Sequence, residues 1–206
     1  DTDGHIVASS TVISVDESKA SKDSIYVGGI TGYSTAYAYG FTGTSVSNKA
    51  PNHVDGIIVK GYGNQTGGIS GLSYSVNNAI VENSLITKTK DPTDFQANYY
   101  GGVSGYNYYN FSYNTVKNTQ MQVSNCNDVG LMIGHQDSSG ISYNSVEDSA
   151  IYANNTQSGK KALNYGGICG YSAPSLSYCT VVNTTIDADT TDFRYPIENV
   201  GGVVGC

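Results

Sequence analysis

The sequence predicts an all-β fold: a right-handed parallel β-helix (β-solenoid) with three short strands per coil, about 35 residues per repeat and about six coils. Two observations carry this expectation. A small apolar block returns six times, as Gly28-Gly29-Ile30-Thr31-Gly32, Gly67-Gly68-Ile69-Ser70-Gly71, Gly101-Gly102-Val103-Ser104-Gly105, Gly130-Leu131-Met132-Ile133-Gly134, Gly166-Gly167-Ile168-Cys169-Gly170 and Gly201-Gly202-Val203-Val204-Gly205. The first glycines lie 39, 34, 29, 36 and 35 residues apart, a period that belongs to stacked repeats. The composition agrees. Charged residues make up 13%, and Gly, Ser, Thr, Asn and Tyr dominate, a mixture that favours turns and strands over helices.

The block is the first element of each repeat. Glycines at its first, second and fifth positions leave room for close approach of backbone or of an aromatic ring. Leu131 and Ile133 replace Gly and Ser/Thr together in one block, as two positions on one face would. A second strand recurs as Phe111-Ser112-Tyr113-Asn114-Thr115-Val116, Ile141-Ser142-Tyr143-Asn144-Ser145-Val146 and Leu176-Ser177-Tyr178-Cys179-Thr180-Val181. A third follows a polar corner, with Met121, Ile151 and Ile186 each five residues beyond Val116, Val146 and Val181; Val81 and Ile86 keep the same interval. Length varies mostly after the third strand, in loops from Lys88 to Tyr100, Asn154 to Tyr165 and Asp187 to Val200, two of which carry Thr-Asp-Phe (Thr93–Phe95 and Thr191–Phe193). The chain reads as a single solenoid domain over 1–206, with an N-terminal half-coil at 1–25, five repeats over 26–200 and a C-terminal partial coil at 201–206.

Tandem Gly-Gly-Ile-x-Gly-Tyr blocks followed by a polar stretch and an aliphatic-x-Asn element resemble the GLUG-type repeats of bacterial and protist surface proteins. The resemblance spans about Tyr26 to Cys206. It implies extracellular or cell-surface display, adhesion or a stalk, and it carries no catalytic residue over to this chain.

Charge excludes one class of partner. With a net charge of −7 and only 10 Lys plus Arg, scattered along the chain, no basic stripe can neutralise a phosphate backbone, so nucleic acid is not an expected ligand. No apolar run approaches the roughly 20 residues that span a bilayer, so membrane insertion is not expected either. The start at Asp1 fits a processed secreted protein or a trimmed fragment.

Catalytic and metal chemistry find little support. β-Helical polysaccharide enzymes need clustered carboxylates, and no such pair recurs on the strands here. Asp187/Asp189 and Asp1-Thr2-Asp3-Gly4 are incomplete as calcium loops. His5, His53 and His135 share no metal-ligand spacing, and His135 takes the post-block position that Tyr33, Tyr106 and Tyr171 fill elsewhere. No metal, cofactor or catalytic residue is assigned. Cys126, Cys169, Cys179 and Cys206 have no CxxC spacing; disulfides and small buried thiols are both compatible with them.

Tyrosine is the unusual residue, 18 against four Phe and no Trp. Two aromatic columns are expected, Tyr33/Tyr106/Tyr171 after the block and Tyr113/Tyr143/Tyr178 in the second strand. Stacked rings at coil spacing would hold the coils in register; alternatively they form a strip for sugars or partner proteins, with Tyr37, Tyr39, Tyr108 and Tyr109 as further contacts. Asn-x-Ser/Thr occurs at Asn64, Asn110, Asn154 and Asn183, of which Asn64 and Asn154 are the best placed for glycosylation.

The ends suggest a mode of assembly. The sixth block closes the chain without its second and third strands, whereas Val7 and Val12 repeat the five-residue interval of those strands without a block before them. An interface of Gly201, Gly202, Val203, Val204 and Cys206 with Ile6, Val7 and Val12 would join copies head to tail into an open filament. The leading functional expectation is a non-enzymatic structural protein of a surface filament, stalk or adhesive fibre. A carbohydrate-binding or polysaccharide-cleaving β-helix with a tyrosine-lined face is the alternative, with glycans or cell-surface proteins as partners.

Overall fold

In a computed structural model the described residues are 7–14, 26–33, 51–61, 64–88, 97–154, 162–172, 175–189 and 197–206, and the regular elements among them are all strands. These strands form five sheets in which every pairing is parallel. Taken in coil order, the first sheet stacks Tyr26–Gly28, Gln65–Gly67, Ala97–Gly101, Cys126–Gly130, Ala162–Gly166 and Ile197–Gly201. The second stacks Thr31–Tyr33, Ser70–Ser73, Ser104–Asn107, Ile133–Gln136 and Cys169–Ser172, and the third Val76–Asn77, Phe111–Ser112, Ile141–Ser142 and Leu176–Ser177. The fourth runs from Val7–Ser9 through Asn52–Asp55, Ala79–Glu82, Thr115–Lys117 and Ser145–Glu147 to Thr180–Val182. The fifth runs from Val12–Ser14 through Ile58–Gly61, Leu85–Lys88, Gln120–Ser124 and Ala150–Asn154 to Thr185–Asp189. This is a parallel β-solenoid.

The three elements expected per coil are present, but corners divide the first two. Gly-Gly ends a first-sheet strand and turns into the second sheet, and Tyr113-Asn114 separates the third sheet from the fourth, so a full coil holds five segments. The five-residue interval marks two inward columns: Val54, Val81, Val116 and Val146 in the fourth sheet, and Val59, Ile86, Met121 and Ile151 in the fifth, all fully buried. Each such side chain contributes about 1.5–3 kcal/mol by leaving water. Ile69, Val103, Met132 and Ile168 form a third buried column at the glycine corner.

The N-terminal half-coil sits one residue away from the sequence expectation. Val7 pairs with His53 and Val12 with Ile58, so the residues in register with Val54 and Val59 are Ala8 and Ile13. Val12 is accordingly 59% exposed, while Ile13 packs against the core. A one-residue shift of register exchanges the two faces of a strand, so Val12 is not a core anchor.

Polar ladders bind the coils together at the corners. Asn114 Nδ2 donates to the Val76 carbonyl at 3.0 Å, and Asn144 Nδ2 to the Phe111 carbonyl at 3.1 Å. Their side-chain oxygens accept the backbone N–H of Ala79 and Asn114, at 3.0 and 2.9 Å. Both asparagines are buried, so these bonds meet polar groups that would otherwise be stranded. Between the fourth and fifth sheets, Ser10, Gly56, Asn83, Asn118, Asp148 and Asn183 all adopt positive φ. There Asn83 donates to Asp55 and Asn118 to Asn83, each at 2.8 Å.

Candidate functional site

Two ring columns, the last described coil and the outer corners are among the features of this scaffold that can meet a partner. Tyr113, Tyr143 and Tyr178 occupy the same corner of successive coils, each with positive φ of 52–59°. Their rings stack nearly parallel, with centroids 4.9 and 4.8 Å apart and interplanar angles of 4° and 6°. The stack stands on the surface, with Tyr113 44%, Tyr143 47% and Tyr178 74% exposed. Each interior face is covered by the next ring, so the column presents edges and hydroxyls to the side. The open flat face is that of Tyr178, which lies on the last described coil of this column.

The second column is mixed. Tyr33, Leu72, Tyr106, His135 and Tyr171 share one register line across the second sheet. Tyr106 stacks on His135 at 4.9 Å and His135 on Tyr171 at 4.7 Å. Leu72 separates Tyr33 from this group, and Tyr33 packs on Tyr26 instead, at 5.0 Å. The expected three-tyrosine column is thus Tyr106–His135–Tyr171, with Tyr33 outside it.

The glycine corner brings residues seven apart face to face. Tyr26 meets Tyr33, and Tyr99 meets Tyr106 at 5.3 Å. At the next coil the pair is Asp128 and His135, with Oδ2 to Nδ1 at 2.7 Å. Asp128 is buried and also accepts from Asn164 Nδ2 at 2.8 Å. Burial, with the Asp128 charge second, raises the Tyr99 phenol above its ordinary value. This couple escaped the sequence reading, although the seven-residue offset of Tyr26/Tyr33 and Tyr99/Tyr106 was a usable signal. A second couple, His53 Nε2 to Glu82 Oε1 at 2.7 Å, lies half-exposed on the fourth sheet.

The coil at the C-terminal side leaves its core partly open. Leu176, Val181 and Ile186 continue columns whose members in the central coils are buried, yet they are only partly covered. Val182, Val200 and Val203 are exposed. Ile197–Gly201 is the outermost strand of the first sheet, and Val204 adds a single bridge to Cys169. Gly201 to Val204 and Cys206 thus lie on the last described coil, and Val7 and Val12 on the outermost described strands of the fourth and fifth sheets at the opposite side.

All four thiols are free: Cys126 and Cys169 are buried, Cys179 is partly buried and Cys206 exposed. Burial pushes the Cys126 thiol up to about 11 and outweighs the opposing charge of Lys88. Among the sequons, Asn110, Asn154 and Asn183 are exposed, whereas Asn64 is half-buried with its side-chain oxygen enclosed. Asn183 donates to Asp148 at 3.2 Å. The remaining sequence candidates, Asp1 to Gly4, His5, Ile6, Tyr37, Tyr39, Thr93–Phe95 and Thr191–Phe193, lie outside the described residues. No group of three or more metal-ligating side chains occurs among the described residues.

No protein-family model matches this chain, and neither the curated proteins nor the solved structures give a significant match.

Proposed function

We propose that this chain is an extracellular, non-enzymatic structural protein whose solenoid ends associate head to tail, giving a filament, stalk or adhesive fibre at a cell surface. The observation that carries the reading is the partial exposure of the last described coil. Its Leu176, Val181 and Ile186 extend apolar columns that are sealed in every central coil, and the Tyr178 ring is 74% exposed at the end of an ordered stack. Burial of those side chains and pairing of the open strand edges by another coil would be favourable. The strands Val7–Ser9 and Val12–Ser14 supply the matching edges of the fourth and fifth sheets. Heterologous contacts of this kind generate open assemblies. The resemblance to GLUG-type repeats and the polar, weakly charged composition support the extracellular setting.

Sedimentation and negative-stain imaging of the purified chain over a range of concentrations test the proposal. Concentration-dependent fibres are expected, and Val181→Glu should abolish them while leaving a folded monomer by circular dichroism. A monodisperse monomer at every concentration would refute head-to-tail association.

A further inference from the structure

We propose that the outer face of the fifth sheet, around Tyr152, is a binding groove for a neutral glycan chain. Six tyrosines of the described region are strongly exposed, and five of them spend a ring face on another tyrosine: Tyr33 on Tyr26, Tyr109 on Tyr74, and Tyr113, Tyr143 and Tyr178 on one another. Tyr152, 43% exposed, has no ring partner among the described residues. A flat apolar face with a hydroxyl at its edge is thus left to solvent, in the middle of a sheet rather than at a stacked corner.

The surroundings of that ring are built for hydrogen bonding. Thr87, Gln122, Tyr152 and Asp187 follow one another across four coils in a single register line. Ser124 and Asn154 form a parallel line beside them. Together these side chains line an open groove of about 440 Å³.

The chemistry of the lining selects the ligand class. The fifth sheet is paired on both sides at this point, so its backbone offers nothing to an added peptide strand. Val123 and Ala153, the apolar residues of the groove, point into the core and are buried, which leaves little purchase for apolar side chains. Asp187 opposes an acidic polymer. The Lys88 amine is buried and donates to the Asn125 carbonyl at 3.3 Å. What remains is one aromatic platform amid amides and hydroxyls, the complement of a pyranose ring with its apolar face and peripheral hydroxyls. Strands repeat about every 4.8 Å, close to the length of one sugar unit in an extended chain, so successive coils can meet successive residues of a glycan lying across the strands.

This inference is independent of head-to-tail association and is tested on the unglycosylated chain. Titration calorimetry with neutral gluco-, manno- and chito-hexaose, and with oligogalacturonate as the acidic counterpart, is compared for the native chain, Tyr152→Ala and Tyr178→Ala. At least one neutral hexasaccharide should bind, with affinity reduced about tenfold by Tyr152→Ala and unchanged by Tyr178→Ala, while the acidic oligomer binds more weakly. Absence of binding to every neutral hexasaccharide, equal affinity in Tyr152→Ala, or tighter binding of oligogalacturonate would each overturn the proposal. Because Tyr152 is a surface residue, circular dichroism of Tyr152→Ala should match that of the native chain.

Discussion

The corner between the first and second sheets and the corner between the third and fourth both turn the chain sharply, and they do so by opposite means. At the first, the repeated glycines do not take the left-handed conformation: among the described glycines only Gly56 has positive φ. They are there for space. A Cβ on Gly105 would lie 2.6 Å from the Thr66 nitrogen and 2.9 Å from the Tyr99 carbonyl oxygen, so only a residue without one lets the two sheets approach. At the second corner the backbone is left-handed, a conformation that costs an L-residue roughly 1–2 kcal/mol, yet tyrosine occupies it in three successive coils. Ring stacking and the Asn114/Asn144 ladder beside it offset that cost. Glycine in the packed blocks of this corner therefore marks crowding, and tyrosine and asparagine mark the unusual dihedrals of the other.

The contrast can be broken most directly at Gly105. Gly105→Val should destabilise the fold by about 3 kcal/mol in chemical denaturation, because the atoms it meets are backbone that cannot move aside. Gly202→Ala, a glycine of the same motif with nothing within 4 Å of the added Cβ, should stay within about 0.5 kcal/mol. Equal losses at the two positions would show that the motif acts through conformation rather than space.

Alkali attacks the interior that the glycine corner closes. The buried Cys126 thiol is raised to about 11 in the folded chain, from an ordinary value of about 9. Its contribution is complete below about pH 9 and is lost as pH rises through 11, since the unfolded chain releases the proton first. Burial also raises the Cys169 thiol, which adds to the loss from about pH 9, and the Tyr100 and Tyr165 phenols, which extend it upward. Between pH 8 and 11 the stability should fall by on the order of 2 kcal/mol, and Cys126→Ala should flatten the lower part of that decline. A flat native profile would contradict the buried-thiol account.

The tyrosine corner should respond more mildly and in two separable parts. Tyr143→Asn keeps a residue that tolerates positive φ but removes two ring contacts, and a loss of about 1 kcal/mol is expected. Tyr143→Ala removes the rings and also leaves an unfavourable backbone, for about 2 kcal/mol. If the two variants unfold at the same denaturant concentration, the left-handed corner carries no strain and the contrast with the glycine corner fails.

Much of this architecture was legible because a solenoid writes its geometry into the sequence periodically. The five-residue interval from Val116 to Met121 recurs wherever the fourth sheet passes into the fifth, and the stack of Tyr113, Tyr143 and Tyr178 follows from their identical place in each repeat. The division of a coil into five segments was hidden, since Gly-Gly and Tyr-Asn read as parts of strands until their corners are seen. Asp128 and His135 were hidden for another reason: one coil substitutes an acid–imidazole couple where its neighbour uses two tyrosines.

The N-terminal strands define the boundary between the two kinds of information. Val7–Val12 and Ala8–Ile13 both span five residues, so local spacing cannot choose between them, and hydrophobicity favours the wrong pair. Pairing with Asn52–Asp55 and Ile58–Gly61 decides it, because a strand's faces are fixed by the register of its neighbour. By itself the sequence determined the fold class, the repeat and the stacked columns, all of which depend on recurrence along the chain. The facing of each strand, the encounter of residues seven apart across the glycine corner and the unshared ring of Tyr152 depend on what lies alongside in space, and only the tertiary structure decided them.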